Sequence, residues 1–219
     1  MSKRICALAL SMVATLSGTQ DAVAADYLFK NFAYDSPIAN YTEAAGYYDC
    51  STQVGATVKC TELVFIEQKF TASLVFKNDK LSMVSLLSPV DHELFQRAMG
   101  ALEKNFDMVA VSDGKSILDL LVLAGKSKSI EEVTAEFSSF ENTALNAGNI
   151  TYTFVENGMS IKGARNFRGL VELAPDNMRS VDLSINGIGN DAYLIIKFTF
   201  SKLDQIKLAH QANKPAESF

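Results

Sequence analysis

Two cysteines in the first half of the chain, Cys50 and Cys60, carry its most readable chemistry. A redox pair needs the Cys-x-x-Cys spacing that depresses a thiol pKa, and the stretch Ser51 to Lys59 between them is far too long for that. An even count in an exported chain reads instead as one disulfide, closing two extended segments that turn near Gly55. On the loop-entropy model such a bridge contributes about 3 kcal/mol. The third cysteine, Cys6, lies in an N-terminal leader and leaves with it.

Histidine is scarce. His92 stands between Asp91 and Glu93 at the start of a helix, and His210 sits in a polar C-terminal segment. A metal site needs three or four convergent ligands, and neither histidine has a partner histidine or free thiol nearby in sequence. A Ser-His-Asp nucleophile needs a serine on a sharp turn, yet the chain has no Gly-x-Ser-x-Gly elbow. No spacing singles out a carboxylate pair for glycoside hydrolysis, and tryptophan is absent. Gly187-Ile188-Gly189-Asn190 resembles part of a phosphate loop, but Tyr193 to Ile196 reads as strand where a helix N-terminus would be needed. The expectation is therefore no catalytic residue, metal or cofactor.

Aromatic residues are the remaining candidates. Tyr27, Tyr34, Tyr41, Tyr47 and Tyr48 cluster in sequence, with Phe29 and Phe32 among them. They read either as a first strand covering the core or, if exposed, as a recognition surface, since tyrosine is enriched at binding hot spots.

The elements that would position these residues begin after a leader. Lys3 and Arg4, the apolar run Ile5 to Leu16 and the small residues Ala22 to Ala25 have the layout of a cleaved signal peptide over 1–25. The apolar run is shorter than the ~20 residues a membrane span requires. Cleavage takes the net charge from −5 to −6 by removing Lys3, Arg4 and Asp21. With no basic run in the chain, nucleic acid and anionic lipid are excluded as partners on charge grounds. At 48% apolar and 21% charged residues the remainder is globular rather than disordered.

Capping and periodicity predict helices starting at Ser36-Pro37, at Ser88-Pro89, at Ser129 and at Ser201. The Ser129 helix is the clearest, with Ile130, Val133, Phe137, Phe140 and Ala144 at three-four spacing. Predicted strands are Tyr47–Thr52, Thr57–Ile66, Phe70–Lys77 and Leu81–Leu87 in the first half. In the second they are Ile150–Val155, Met159–Lys162, Phe167–Leu173, Arg179–Ile185 and Ala192–Phe200. Asn78-Asp79 and Asn157-Gly158 are hairpin turns. Met108–Val111 is extended, and the apolar run Ile117–Leu123, broken by Asp119, fits helix or strand equally.

These elements predict an α+β fold of antiparallel β-meanders packed against helices, with a possible internal repeat of two similar helix-plus-four-strand halves, 26–112 and 113–219. In that repeat Leu74–Leu86 matches Leu170–Leu183. The arrangement resembles in topology the β-lactamase-inhibitory-protein fold of small envelope proteins. No motif matches residue by residue, so no functional position is transferred.

The resulting expectation is a periplasmic or secreted, non-enzymatic binding protein of the bacterial envelope, engaging a protein partner through a sheet face or aromatic surface. The alternatives are a carrier of a small apolar ligand or lipid between the sheet and the Ile130–Ala144 helix, and a hydrolase with an unrecognised site. Intact mass of the exported protein is expected to lack the leader and to fall two hydrogens short of the dithiol form. Free thiols on the unreduced protein would contradict the bridge.

Overall fold

The computed structural model describes residues 26–157 and 163–212. In chain order, β1 (Tyr27–Phe29) and β2 (Phe32–Ala33) form a small hairpin, followed by 3-10 turns at Ile38–Asn40 and Glu43–Ala45. Next come β3 (Tyr48–Asp49), α1 (Ser51–Val54), β4 (Val58–Phe65), β5 (Gln68–Lys77) and β6 (Lys80–Pro89). The middle of the chain supplies α2 (His92–Leu102), β7 (Phe106–Ser112), β8 (Ile117–Asp119), α3 (Leu120–Lys126) and α4 (Ile130–Asn146). The remainder is β9 (Asn149–Glu156), α5 (Phe167–Leu173), β10 (Ser180–Asn186), β11 (Tyr193–Thr199) and α6 (Ser201–Ala212). The fold is α+β with antiparallel meanders, as the pattern predicts.

One nine-stranded sheet runs β3-β4-β5-β6-β11-β10-β9-β7-β8, and every neighbouring pair is antiparallel. It is continuous across the boundary between the two halves. Strand β6 of the first pairs with β11 of the second, and β7 pairs with β9. The first half's meander has four strands, β3 to β6. The second half's described meander has three, β9, β10 and β11, with α5 inserted after β9.

Alternation sorts the sheet into two faces. Phe70, Ala72, Leu74 and Phe76 of β5, Val84 and Leu86 of β6, and Leu194, Ile196 and Phe198 of β11 all point inward. The inward row continues through Val181 and Leu183 of β10 and Ile150, Tyr152 and Phe154 of β9. Over this face lie α2 with Leu94, Ala98 and Leu102, α4 with Phe137, Phe140 and Ala144, and the β1–β2 hairpin with Leu28, Phe29 and Phe32. Burying a single Leu or Phe there contributes about 1.5 to 3 kcal/mol.

Several elements differ from the sequence reading, each for a local reason. Phe167–Leu173 is a helix, not a strand. Asn166 caps it by accepting from the Gly169 N–H at 2.7 Å, and Leu170 and Ala174 pack with Val109, Val155 and Met178. That helix also ends the proposed match of Leu170–Leu183 to the β5–β6 hairpin. The Ser88-Pro89 cap is displaced: both residues finish β6, and Asp91 caps α2 through the Leu94 N–H at 2.7 Å. The Ser36-Pro37 segment makes two 3-10 turns, because Pro37 bridges to Lys80 and holds the chain near β6. Strand Tyr47–Thr52 stops at Asp49, whose carboxylate accepts from the Ser51 N–H at 2.9 Å and starts α1. Ile130, expected on the core face of α4, is 70% exposed. Gly158 of the Asn157-Gly158 turn and the Met159–Lys162 strand lie outside the described residues, as do the leader at 1–25 and the side chain of His210.

The ambiguous run Ile117–Leu123 is both things. It is strand up to Asp119 and helix after it, because Asp119 Oδ1 accepts from the Leu121 and Val122 N–H groups. Its Oδ2 accepts from the Phe167 N–H at 2.7 Å, so one carboxylate ties β8, α3 and α5 together.

The β5–β6 turn places Asn78 and Asp79 at φ of 51° and 59°, residues that tolerate the left-handed region. The β4–β5 turn makes the same demand of Ile66 and Glu67, at 46° and 61°. Glu67 is exposed, and among the described residues its ion pair is a surface contact with Arg97 at 3.7 Å, which contributes little. Glu67→Gly is therefore expected to stabilise the fold by about 0.5 to 1 kcal/mol. The check is a higher urea midpoint at unchanged slope.

Candidate binding surface

The outer face of the sheet is covered at its two ends and open between them. At one end, Cys50 and Cys60 are bridged across a Cα separation of 5.9 Å and bury Val58 and Val75 under α1. At the other, a bulge in β7 after Met108 turns Val109 to the outer side, where α5 and α3 cover it together with Val155 and Met178.

Between these covers the outward residues of β4, β5, β6, β11, β10 and β9 form two zones. One is polar and internally bonded. Thr153 donates to Asp182 at 2.8 Å, the Thr151 and Ser184 hydroxyls pair at 2.8 Å, and Thr71 donates to Glu62 at 2.9 Å. Ser180, Thr199 and Ser201 form a hydroxyl cluster with Oγ separations of 2.7 to 3.1 Å. These are hydroxyls and carboxylates with no imidazole or thiolate among them, so the zone holds no activated nucleophile.

The second zone is apolar. Leu87 faces Ile195 and Pro89 faces Tyr193 across the β6–β11 pair. Leu87 is 39% exposed and Tyr193 44%, Pro89 is exposed, and Ile195 is half-buried. Val64 on β4 is also exposed, at 62%, but Lys69 of β5 separates it from this block. Around the block the outward positions of these strands are largely polar, among them Glu62, Thr71, Ser73, Ser85, Lys197 and Thr199. Clustered exposed apolar residues with a tyrosine are what interaction surfaces are built from.

The tyrosines singled out by sequence are dispersed. Tyr41 is in the core, edge-on to Tyr47 and Phe76, with its hydroxyl on Ser36 Oγ at 2.5 Å. Tyr47 is half-buried against it, and burial first, then Tyr41, pushes its phenol pKa up. Tyr34 packs edge-on to Phe200 and donates to Asp204 at 2.7 Å, with Lys207 Nζ 4.2 Å from its ring centre. Burial and the bonded carboxylate hold its phenol well above the ordinary range. Tyr27 and Tyr48 are exposed, the first on the small hairpin and the second on the edge strand β3. The structure thus does not bring the five together, and the tyrosine on the open face is Tyr193. A signal for it exists in sequence: Leu86-Leu87 and Leu194-Ile195-Ile196 break the apolar–polar alternation, putting apolar residues at positions that should be wet.

Among the described residues no group of three or more His, Cys, Asp or Glu side chains converges as a metal site. Also among them, no helix is long and apolar enough to cross a membrane. No family model, curated protein or solved structure matches the chain.

Adjacent residues of β6 separate fold from surface. Leu86→Ala is expected to cost about 2 to 5 kcal/mol through the core cavity it leaves. Leu87→Ser should change stability by less than about 0.5 kcal/mol. Urea unfolding of the two variants checks the assignment of faces.

Proposed function

We propose that the chain is an exported, non-enzymatic binding protein of the bacterial envelope that engages a protein partner through the outer face of its sheet. The observation that carries this reading is the exposed block of Leu87, Pro89, Tyr193 and Ile195 on the β6–β11 pair. Export, to the periplasm or beyond the cell, is supported by the signal-like layout of residues 1–25 and by the Cys50–Cys60 bridge, since such bridges persist in oxidising compartments.

A second reading, a carrier of a small apolar ligand between the sheet and the Ile130–Ala144 helix, is favoured by a separate observation. A cleft of about 490 Å³ lies on the inner side of the sheet, between the C-terminal turns of α4 and the start of α2.

Site-specific crosslinking in cells tests the partner reading. A photoreactive phenylalanine placed at Leu87 is expected to yield a discrete adduct that disappears when Tyr193→Asp is introduced. The same probe at Ile117, on the far edge of the sheet, should give none. Absence of any adduct at Leu87 in the folded, exported protein would count against this surface.

A further inference from the structure

The inner cleft is lined by two kinds of group. Val90 and Phe95 beside and within α2, Leu145 on α4 and Ile185 on β10 make apolar walls. Asp91, His92, Glu141 and Gly189 complete its lining, and among the described residues neither Lys nor Arg takes part. Its volume of about 490 Å³ falls in the ~300–1,000 Å³ range of small-molecule sites.

The carboxylates are not equivalent. Asp91 is committed to capping α2 through the Leu94 N–H. Glu141 Oε1 accepts from the hydroxyl of Tyr152 at 2.6 Å. Tyr152 is fully buried and packs against Phe95, with ring centres 5.6 Å apart, so the residue holding Glu141 is itself part of the core. Burial, then the Glu141 bond, pushes the Tyr152 phenol pKa far up, which keeps it a donor at physiological pH. Among the described residues no other donor reaches Glu141, which leaves Oε2 available at the apolar wall.

An oriented carboxylate beside apolar walls selects on charge. An anionic ligand would meet repulsion from Glu141 and Asp91. A neutral hydroxyl ligand would give Glu141 only an uncharged donor, the weaker of the two kinds of hydrogen bond. An ammonium group supplies a charge-assisted hydrogen bond to Oε2 while an aryl or alkyl body fills the space against Phe95, Leu145 and Ile185. We propose that this cleft binds a small aryl- or alkylamine, with its ammonium on Glu141 and its apolar body between α2 and α4. This rests on the carrier reading and is independent of the sheet-face reading.

Calorimetric titration at neutral pH with three probes of matched shape, 2-phenylethylamine, 2-phenylethanol and phenylacetate, tests it. The amine is expected to bind saturably and roughly tenfold or more tighter than the alcohol, with phenylacetate weakest. Glu141→Gln, which keeps an acceptor for Tyr152, should bring the amine to the level of the alcohol. Leu145→Trp should abolish binding of both by filling the cleft. Alcohol and amine binding alike to the wild-type protein would overturn the ammonium assignment while leaving a carrier. Binding of none of the three by the folded protein would overturn both. Amine affinity unchanged by Glu141→Gln, with the variant's thermal midpoint unaltered, would overturn the role of that carboxylate.

Discussion

The antiparallel pairing of β6 with β11 is the contact on which the architecture depends. It joins residues of the first half to residues of the second, from Met83 opposite Thr199 to Pro89 opposite Tyr193. The other pairings on the β3 side are hairpins or near-neighbours that close short loops. The central one must close a loop spanning α2, α3, α4, α5 and four strands, an entropic cost that local pairing does not carry. What offsets it is area. Leu86 against Ile196 and Val84 against Phe198 join two partial apolar faces into one, wide enough for α2, α4 and the N-terminal hairpin to cover together. Separated at this seam, each half would expose a core edge.

That single seam also produces the asymmetry of the molecule. Strand residues alternate, so a sheet whose inner face is continuous and apolar presents a continuous outer face as well. The chain covers the outer face only at its ends, with the disulfide hairpin and α1 at one side and α5 and α3 at the other. The middle, directly over the seam, stays open, and the apolar block of Leu87, Pro89, Tyr193 and Ile195 sits there. The outermost strands are short, β3 with two residues and β8 with three, so each covers only part of its neighbour, β4 or β7.

Legibility followed the range of the interactions. The β5–β6 hairpin, the α4 cap at Ser129 and the disulfide depend on residues a few positions apart, and each could be read directly. Phe167–Leu173 could not. Its Val, Leu and Phe content suits a strand, and what makes it helical is a cap from Asn166 and a landing site made of Val109, Val155 and Met178 brought from three other segments. Ile117–Leu123 is the intermediate case: the break at Asp119 was visible, but not that its second oxygen would bind the Phe167 N–H. The candidate surface was half legible. A sheet face was the expected location, yet the tyrosines chosen for it are divided among core, hairpin and edge.

By itself the sequence determined residue chemistry and local geometry: which stretches alternate, which residues cap, which cysteines bridge, and that no familiar catalytic motif is present. These depend on side-chain type and on spacings of two to four residues, which any reader of the chain can see. Tertiary structure alone decided which apolar residues ended up uncovered. Leu86 and Leu87 are identical side chains in neighbouring positions, and only the packing of distant helices against one face of the sheet makes the first core and the second surface.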